Sequence, residues 1–529
     1  MENYDYQSET VVSYLPNEID LTRAVKLSED MLRREYVEIY PASRSVSNIT
    51  GTSTSNTTEI KLSDPSRWID TSTMYFSYQV SVPQPAGGTG ACGNFCVLDG
   101  PYANLARVNA TVGGQSVTSG IQDINKVYNA KYLNEAMTSN YLSDGEILNP
   151  GLVHYNALLK NNNGPMTTEQ LYTAMANSPY NMFVGGNGNT SANDALGFKS
   201  SIDGSVVGVE ANGWGYHNVN DSTQGTQQVN IKLGDIVPLF SQMRYIPLFL
   251  LKDIVLQFYW ASPVTSFCSD YNLGGTSQNI PSYNVSGIKL VCDLISTSDV
   301  LTNAYRQKAL SPEGILLPYD DYAVQSTTLT NYAGSQRSFQ ANLTTNNLKS
   351  ALMFQQSNKV ANAQNAFSNS NFFYLGTNNI NFMINNSNIP SNPLNTVSDI
   401  VLYNNRSRGV LGNQLSNFVA NNKYICYANE CAPTATPADT DVNASFVSFM
   451  VYSNFEKVIN ENPEVISNGV SLKDGNSTLT VKWNENNDVS TIPSAIRTCV
   501  VGANGYTVRL LMSYQRVLAL RNGMIDLVG

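Results

Sequence analysis

Residues 283–312 read YNVSGIKLVCDLISTSDVLTNAYRQKALSP, and two periods meet inside that stretch. Ile288, Leu290, Cys292 and Leu294 alternate with Lys289, Val291 and Asp293, the twofold repeat of a strand with one buried face. From Ser298 to Leu310 the alternation gives way to a helical run without Gly or Pro. Ser298 or Asp299 can cap that helix, and Pro312 ends it. A β unit therefore closes near residue 297, a short helix follows, and a second unit opens after it.

The same alternation recurs on both sides of the helix. Upstream it runs through Met74, Phe76, Tyr78, Val80 and Val82, through Leu105, Val108 and Val112, and through Ile254, Leu256, Phe258 and Trp260. Downstream it returns at Phe339, Ala341 and Leu343, at Ile380, Phe382 and Ile384, at Val447, Phe449 and Val451, and at Tyr506, Val508, Leu510 and Met512. Residues 120–137 are more helix-like. Near the start, Leu21, Ala24, Val25, Met31 and Leu32 fall at helical spacing, which predicts a short amphipathic helix over Asp20–Tyr36 on a polar N-terminal arm.

Length supports two units. A chain of 529 residues exceeds the roughly 250–300 at which a single core stops growing. The expected organisation is an arm over 1–37, a first β unit over 38–297 with a long loop insertion near 138–228, a helical linker over 298–312, and a second β unit over 313–529 with long loops near 355–440. Asn supplies 64 positions while charged residues make up only 14%. That exchange of charge for Asn, Ser and Thr suits short strands and turns rather than long helices.

Charge and motif content exclude several functions. The net charge is −10, and the first forty residues hold nine acids against four bases, so no basic arm is present to displace counterions from a phosphate backbone. The N-terminal MENYDYQSETVV lacks the basic and apolar regions of a secretory signal, so none is expected. The longest apolar run, Tyr245–Trp260, is broken by Pro247, Lys252, Asp253 and Gln257 and is too short and polar to span a membrane.

With only His154 and His217, a multi-His metal site is impossible and a catalytic triad is not expected. Cys92 and Cys96, and Cys426 and Cys431, are the close cysteine pairs, while Cys268, Cys292 and Cys499 stand alone. No His pair completes a zinc site, and local disulfides need an oxidising compartment.

Gly88–Gly93 fits G-x-G-x-x-G, but strand-like FCVL follows where a dinucleotide site needs a helix. Asp320 with Asp321, and Glu485 with Asp488, are the acidic pairs a glycosidase or calcium reading would use; solvated loop acids are the simpler account. Trp68 and Trp260 read as core or inter-sheet anchors, whereas Trp214, in a loop-rich stretch, is suited to an exposed contact and, with the tyrosines of the long loops, is the basis of a glycan-binding reading. No catalytic, cofactor-binding or metal-ligating residue is assigned.

The order of segments resembles a known family. An acidic arm leads to RWIDTSTMYFSYQVSV (67–82), then MRYIPLFLLKDIVLQFYW (243–260), then YNVSGIKLVCDLIST (283–297). The bridging VLTNAYRQKAL (300–310) opens a second half ending in YTVRLLMSYQRVLAL (506–520). This resembles the double jelly-roll major capsid proteins of eukaryotic double-stranded DNA viruses, in wording nearest the virophage and polinton-like branch.

The resemblance implies an all-β fold of two tandem eight-stranded antiparallel jelly rolls with an N-terminal arm helix and a short helical linker. It implies a non-enzymatic subunit of the virion capsid, assembled inside the infected host cell. Homotrimers of hexagonal outline would tile an icosahedral shell beside neighbouring capsomers, penton and minor capsid proteins and an internal membrane, without direct nucleic-acid contact. The competing readings are a glycan- or receptor-binding β-sandwich attachment protein and, on the acidic pairs alone, a two-domain β hydrolase.

Overall fold

The computed structural model describes residues 31–50, 56–82, 94–97, 102–118, 121–136, 217–218, 226–251, 253–269, 272–273, 276–277, 281–329, 336–345, 347–357, 377–385, 387–407, 450–456, 469–473, 478–485 and 505–528. The first half opens with β1 (Met31–Ile39), β2 (Val46–Ile49), β3 (Thr57–Leu62), β4 (Arg67–Ser81), β5 (Asn94–Val97), β6 (Leu105–Val112), β7 (Gln115–Ser116) and helix α1 (Ile124–Ala136). It continues with β8 (His217–Asn218), β9 (Thr226–Lys232), the single turns α2 (Leu233–Ile236) and α3 (Leu239–Gln242), β10 (Tyr245–Pro247) and β11 (Ile254–Trp260). Next come α4 (Pro263–Ser266), β12 (Phe267–Ser269), β13 (Asn272–Leu273), β14 (Thr276–Ser277) and β15 (Tyr283–Thr297).

Two sheets make up its body. One runs β1–β15–β4–β10, with β2 also on β15 and β9 also on β4; the other runs β3–β11–β6–β7. With β1/β2 and β9/β10 each taken as one interrupted strand, the larger sheet has chain order first, eighth, third, sixth. The smaller has second, seventh, fourth, fifth. Every pairing is antiparallel. This is the strand order of a jelly roll, in which first pairs with eighth, second with seventh and third with sixth, and only the fourth and fifth are a sequence-adjacent hairpin.

The linker helix α5 (Asp299–Leu310) leads into β16 (Ile315–Leu329), β17 (Gln336–Ala341), β18 (Leu348–Ser357), β19 (Asn378–Ile384) and β20 (Ser387–Leu394). Helix α6 (Val397–Ser407), β21 (Met450–Asn454), β22 (Leu479–Asn484), β23 (Tyr506–Arg521) and β24 (Met524–Val528) complete the chain. The sheets β16–β23–β18–β21 and β17–β22–β19–β20 repeat the same first-eighth-third-sixth and second-seventh-fourth-fifth order, with β24 added as a hairpin on β23. The chain is therefore two tandem jelly rolls.

The alternation read from sequence is what fills the first sandwich. Ile254, Leu256, Phe258 and Trp260 are buried while the residues between them are half-exposed. Met74, Phe76, Tyr78 and Val80 of β4 meet them from the other sheet, and the Phe76 and Phe258 rings stack with centroids 3.8 Å apart. Trp260 is anchored as expected, its indole N–H donating to Thr58 Oγ1 at 3.0 Å.

Trp68 has a different partner: it packs edge-on to Phe249 and Tyr305, in a cluster with Tyr245, Ile295 and Leu301 that fastens α5 to the first roll. The cap of α5 is Ser298, whose side chain accepts from the Leu301 N–H. Gly314, at φ +66°, turns the chain into β16; a Cβ there would lie 2.6 Å from the Arg521 side chain and closer still to the Leu520 carbonyl oxygen.

Two expectations change. The helix predicted over Asp20–Tyr36 does not hold at its end, because Met31–Tyr36 lie in β1 and residues 33–39 ladder along β15. An open sheet edge satisfies every second backbone N–H and C=O of a chain laid against it, and that outweighs a short stretch of helical spacing. Residues 20–30 lie outside the described residues. The span near 355–440, expected to hold long loops around the Ile380–Ile384 strand, also contains β20 and α6. Of the 138–228 insertion, only β8 and the start of β9 are described.

The rolls share hydrophobic core. Leu352 and Phe354 of β18, Met450 of β21 and Leu511, Leu518 and Leu520 of β23 join the cluster that fills the first roll. Their neighbours Ala351, Met353, Val451, Leu510 and Met512 fill the second. This sheet is covered on both faces, which is why ALMF (351–354) and LLM (510–512) are unbroken apolar runs rather than alternations.

Candidate assembly surfaces

Within the chain, a corner of the first roll meets the larger sheet of the second. The corner is the turn leaving the fifth strand, with Ser116, Val117, Asp123 and α1. The Tyr319 hydroxyl donates to the Val117 carbonyl at 3.0 Å, and the Arg516 guanidinium donates to the Ser116 carbonyl at 3.2 Å. Arg509 pairs with Asp123 at 3.2 Å, and the Lys131 ammonium stands 5.0 Å from the centre of the Tyr322 ring. Behind the corner, Asp321 is buried and accepts from Arg516 at 2.8 Å and from the Tyr514 hydroxyl at 3.2 Å. Burial pushes its carboxyl above the ordinary range, against the pull of Arg516.

The outer face of the first roll's larger sheet is polar and cross-braced. Arg34 of β1 reaches Asp293 of β15 at 2.6 Å and Asp70 of β4 at 3.1 Å. Lys289 meets Glu38 at 2.6 Å, and Tyr36 and Tyr40 both donate to the same carboxylate. With the Lys289 hydrogen bond as the main cause, the Glu38 carboxyl is held down at about 2. Further across, Gln228 donates to Ser77 at 2.7 Å.

Helix α6 occupies, in the second roll, the chain position α1 has in the first: between the fifth strand and the sixth. Asn404 on its inner side donates to the Met450 carbonyl and accepts from the Tyr452 N–H, and Tyr403 hydrogen-bonds Ser453, so the helix covers the outer edge of β21. Open strand edges invite foreign pairing, and this one is closed by a side chain. On the other side Leu402 is 68% exposed. Exposed large apolar side chains among the described residues fall in three places: Leu32, Tyr36 and Tyr40 along β1 and its end, Leu402 on α6, and Val300, Leu310, Leu316 and Met524 around the linker helix and the C-terminal hairpin.

The carboxylates weighed as catalytic candidates sit in structural pairs. Asp320 holds Lys349 at 2.8 Å, Asp321 holds Arg516, and Glu485 takes Arg337 through two bonds at 3.1 and 3.3 Å together with the Tyr506 hydroxyl.

Asp488, His154, Trp214, Gly88–Gly93 and cysteines 92, 426, 431 and 499 lie outside the described residues. His217 stands opposite Phe95 in the small β8–β5–β12 sheet. There the backbone register sets Cys96 opposite Cys268. Cys292 is buried, and burial pushes its thiol up to about 12, so it packs rather than reacts. Among the described residues no group of three or more His, Cys, Asp or Glu side chains is placed to hold a metal ion. No described helix is long and apolar enough to cross a membrane.

Sequence reasoning missed Tyr319, Arg509 and Arg516 at the joint, and Leu402. A signal for the joint was present in the double apolar runs of β18 and β23, which a strand facing water on one side would not carry.

No model of a known protein family matches the chain, and no curated protein matches it. Solved structures do. A cryo-electron microscopy structure of the Sputnik virophage matches at 13% identity and TM-score 0.49, over 95% of this chain and 89% of that one. The mavirus major capsid protein matches at 10% identity and TM-score 0.43, over 100% and 94%. The PBCV-1 VP54 structure fitted into a Sputnik reconstruction matches at 12% identity and TM-score 0.43, over 94% and 96%.

Proposed function

We propose that the chain is the structural subunit of a virion capsid, a major capsid protein whose three copies form a capsomer of hexagonal outline that tiles an icosahedral shell. The observation that supports this is the duplication: two rolls of identical strand order, fixed side by side by a shared core. A threefold arrangement of such chains carries six like units around one axis, and a six-cornered tile packs edge to edge without gaps. In that role the subunit has no catalytic function. Its partners are its own copies, neighbouring capsomers, penton and minor capsid proteins and an internal membrane. The excess of acid over base suits a shell that does not itself grip nucleic acid.

Light scattering coupled to gel filtration, followed by negative-stain imaging of the purified chain, tests the reading. The expected result is a particle of three chains with a six-cornered outline. A strict monomer at micromolar concentration overturns it.

A further inference from the structure

The joint inside the chain couples a corner of one roll to a face of the other. The same corner exists a second time, as β20 with α6, and the same kind of face exists a second time, on β1, β15 and β4. We propose that a second copy of this chain joins them: the β20–α6 corner of one copy seats on the outer face of the first roll's larger sheet in the next. The inference rests on the capsomer reading and adds to it which surfaces meet.

Three observations carry it. The corner is rigid and presents an anchor, since Asn404 and Tyr403 tie α6 to β21 and leave Leu402 and Arg406 facing outward. The receiving face carries exposed apolar side chains of its own, Tyr36 at 61% and Leu32 at 66%.

Its chemistry also differs from the internal face in the direction a contact between separate chains requires. Where the second roll offers Leu352, Phe354 and Leu511 to the first, the first roll offers Tyr75, Ser77, Gln79, Lys289 and Asp293. The internal face never meets water once the chain folds, so apolar residues serve it. A face that stays wet until a partner arrives must be soluble, and its Glu38–Lys289 and Arg34–Asp293–Asp70 pairs hold it in a fixed shape meanwhile. The contact is heterologous, corner to face, so it propagates in one rotational sense. Alternating with the internal joint, it closes a ring of three copies.

Site-specific photo-crosslinking of the full chain tests the pairing. p-Benzoylphenylalanine replaces Leu402, isotopically light and heavy copies are mixed before assembly, and cross-linked peptides are sequenced by mass spectrometry. The expected products join position 402 of one copy to residues 31–40 or 283–297 of another. Leu402→Asp is expected to weaken association by about tenfold or more with unchanged circular dichroism, while Met524→Asp, in the C-terminal hairpin and outside both surfaces, leaves it unchanged. Cross-links from 402 to α6 or β20 of another copy, or trimers unaffected by Leu402→Asp, overturn the pairing while the capsomer reading stands. A monomer in every preparation of the unsubstituted chain overturns both.

Discussion

Glu38 shows how single side chains hold the first roll's outer face. Its carboxylate receives Lys289 and two tyrosine hydroxyls, and its titration falls from the ordinary 4.5 to about 2. A carboxyl whose folded value is depressed contributes stability that is complete above its unfolded value and is lost as pH falls through the folded one. The contribution of Glu38 is therefore present above about pH 4.5 and gone near pH 2. Glu38→Gln is expected to lower the denaturant midpoint slightly at pH 7, and the difference from the unsubstituted chain should vanish between pH 4.5 and 2. Guanidinium titrations across that range check it. Sequence alone could not locate this network: Glu38 and Lys289 are 251 residues apart, and nothing local marks them as neighbours.

At the scale of elements, β18 is the informative strand. Met353 points into the second roll's core and Phe354 into the cluster shared with the first. Truncating either to Ala costs roughly 2–5 kcal/mol, but with different consequences. Phe354→Ala is expected to expose the joint, so that limited proteolysis near the linker helix accelerates; Met353→Ala should lower overall stability with the linker still protected. Timed digestion followed by mass spectrometry separates the two.

The strands with one wet face, such as Ile254–Trp260 and Tyr283–Thr297, were legible because alternation is a local signal. So was α5, with its Ser298 cap and uninterrupted run. The strand at Met31–Ile39 was not, because its conformation is set by the open edge of β15 rather than by its own spacing. Asp320, Asp321 and Glu485 looked like site candidates because sequence shows carboxylates and hides the distant Lys349, Arg516 and Arg337 that neutralise them.

At the scale of the whole molecule, the shared core binds the fates of the two rolls. The second roll expressed alone, residues 313–529, would present Leu352, Phe354, Leu511, Leu518 and Leu520 to water, a patch of the kind that drives association. It is expected to bind a hydrophobic dye strongly and to pellet on centrifugation, whereas the full chain stays in solution. Dye fluorescence and sedimentation of both proteins decide this.

The joint also bears on how such a chain can change over generations. A substitution at Phe354 or Leu511 must be accommodated by side chains contributed from the other half, so the halves are locked into matched pairs of mutations. Swapping one roll for its counterpart from a divergent relative would mismatch the seam, whereas exchanging whole chains would not. Genetic exchange between lineages should therefore leave crossover points at the ends of the coding sequence and few near the linker helix.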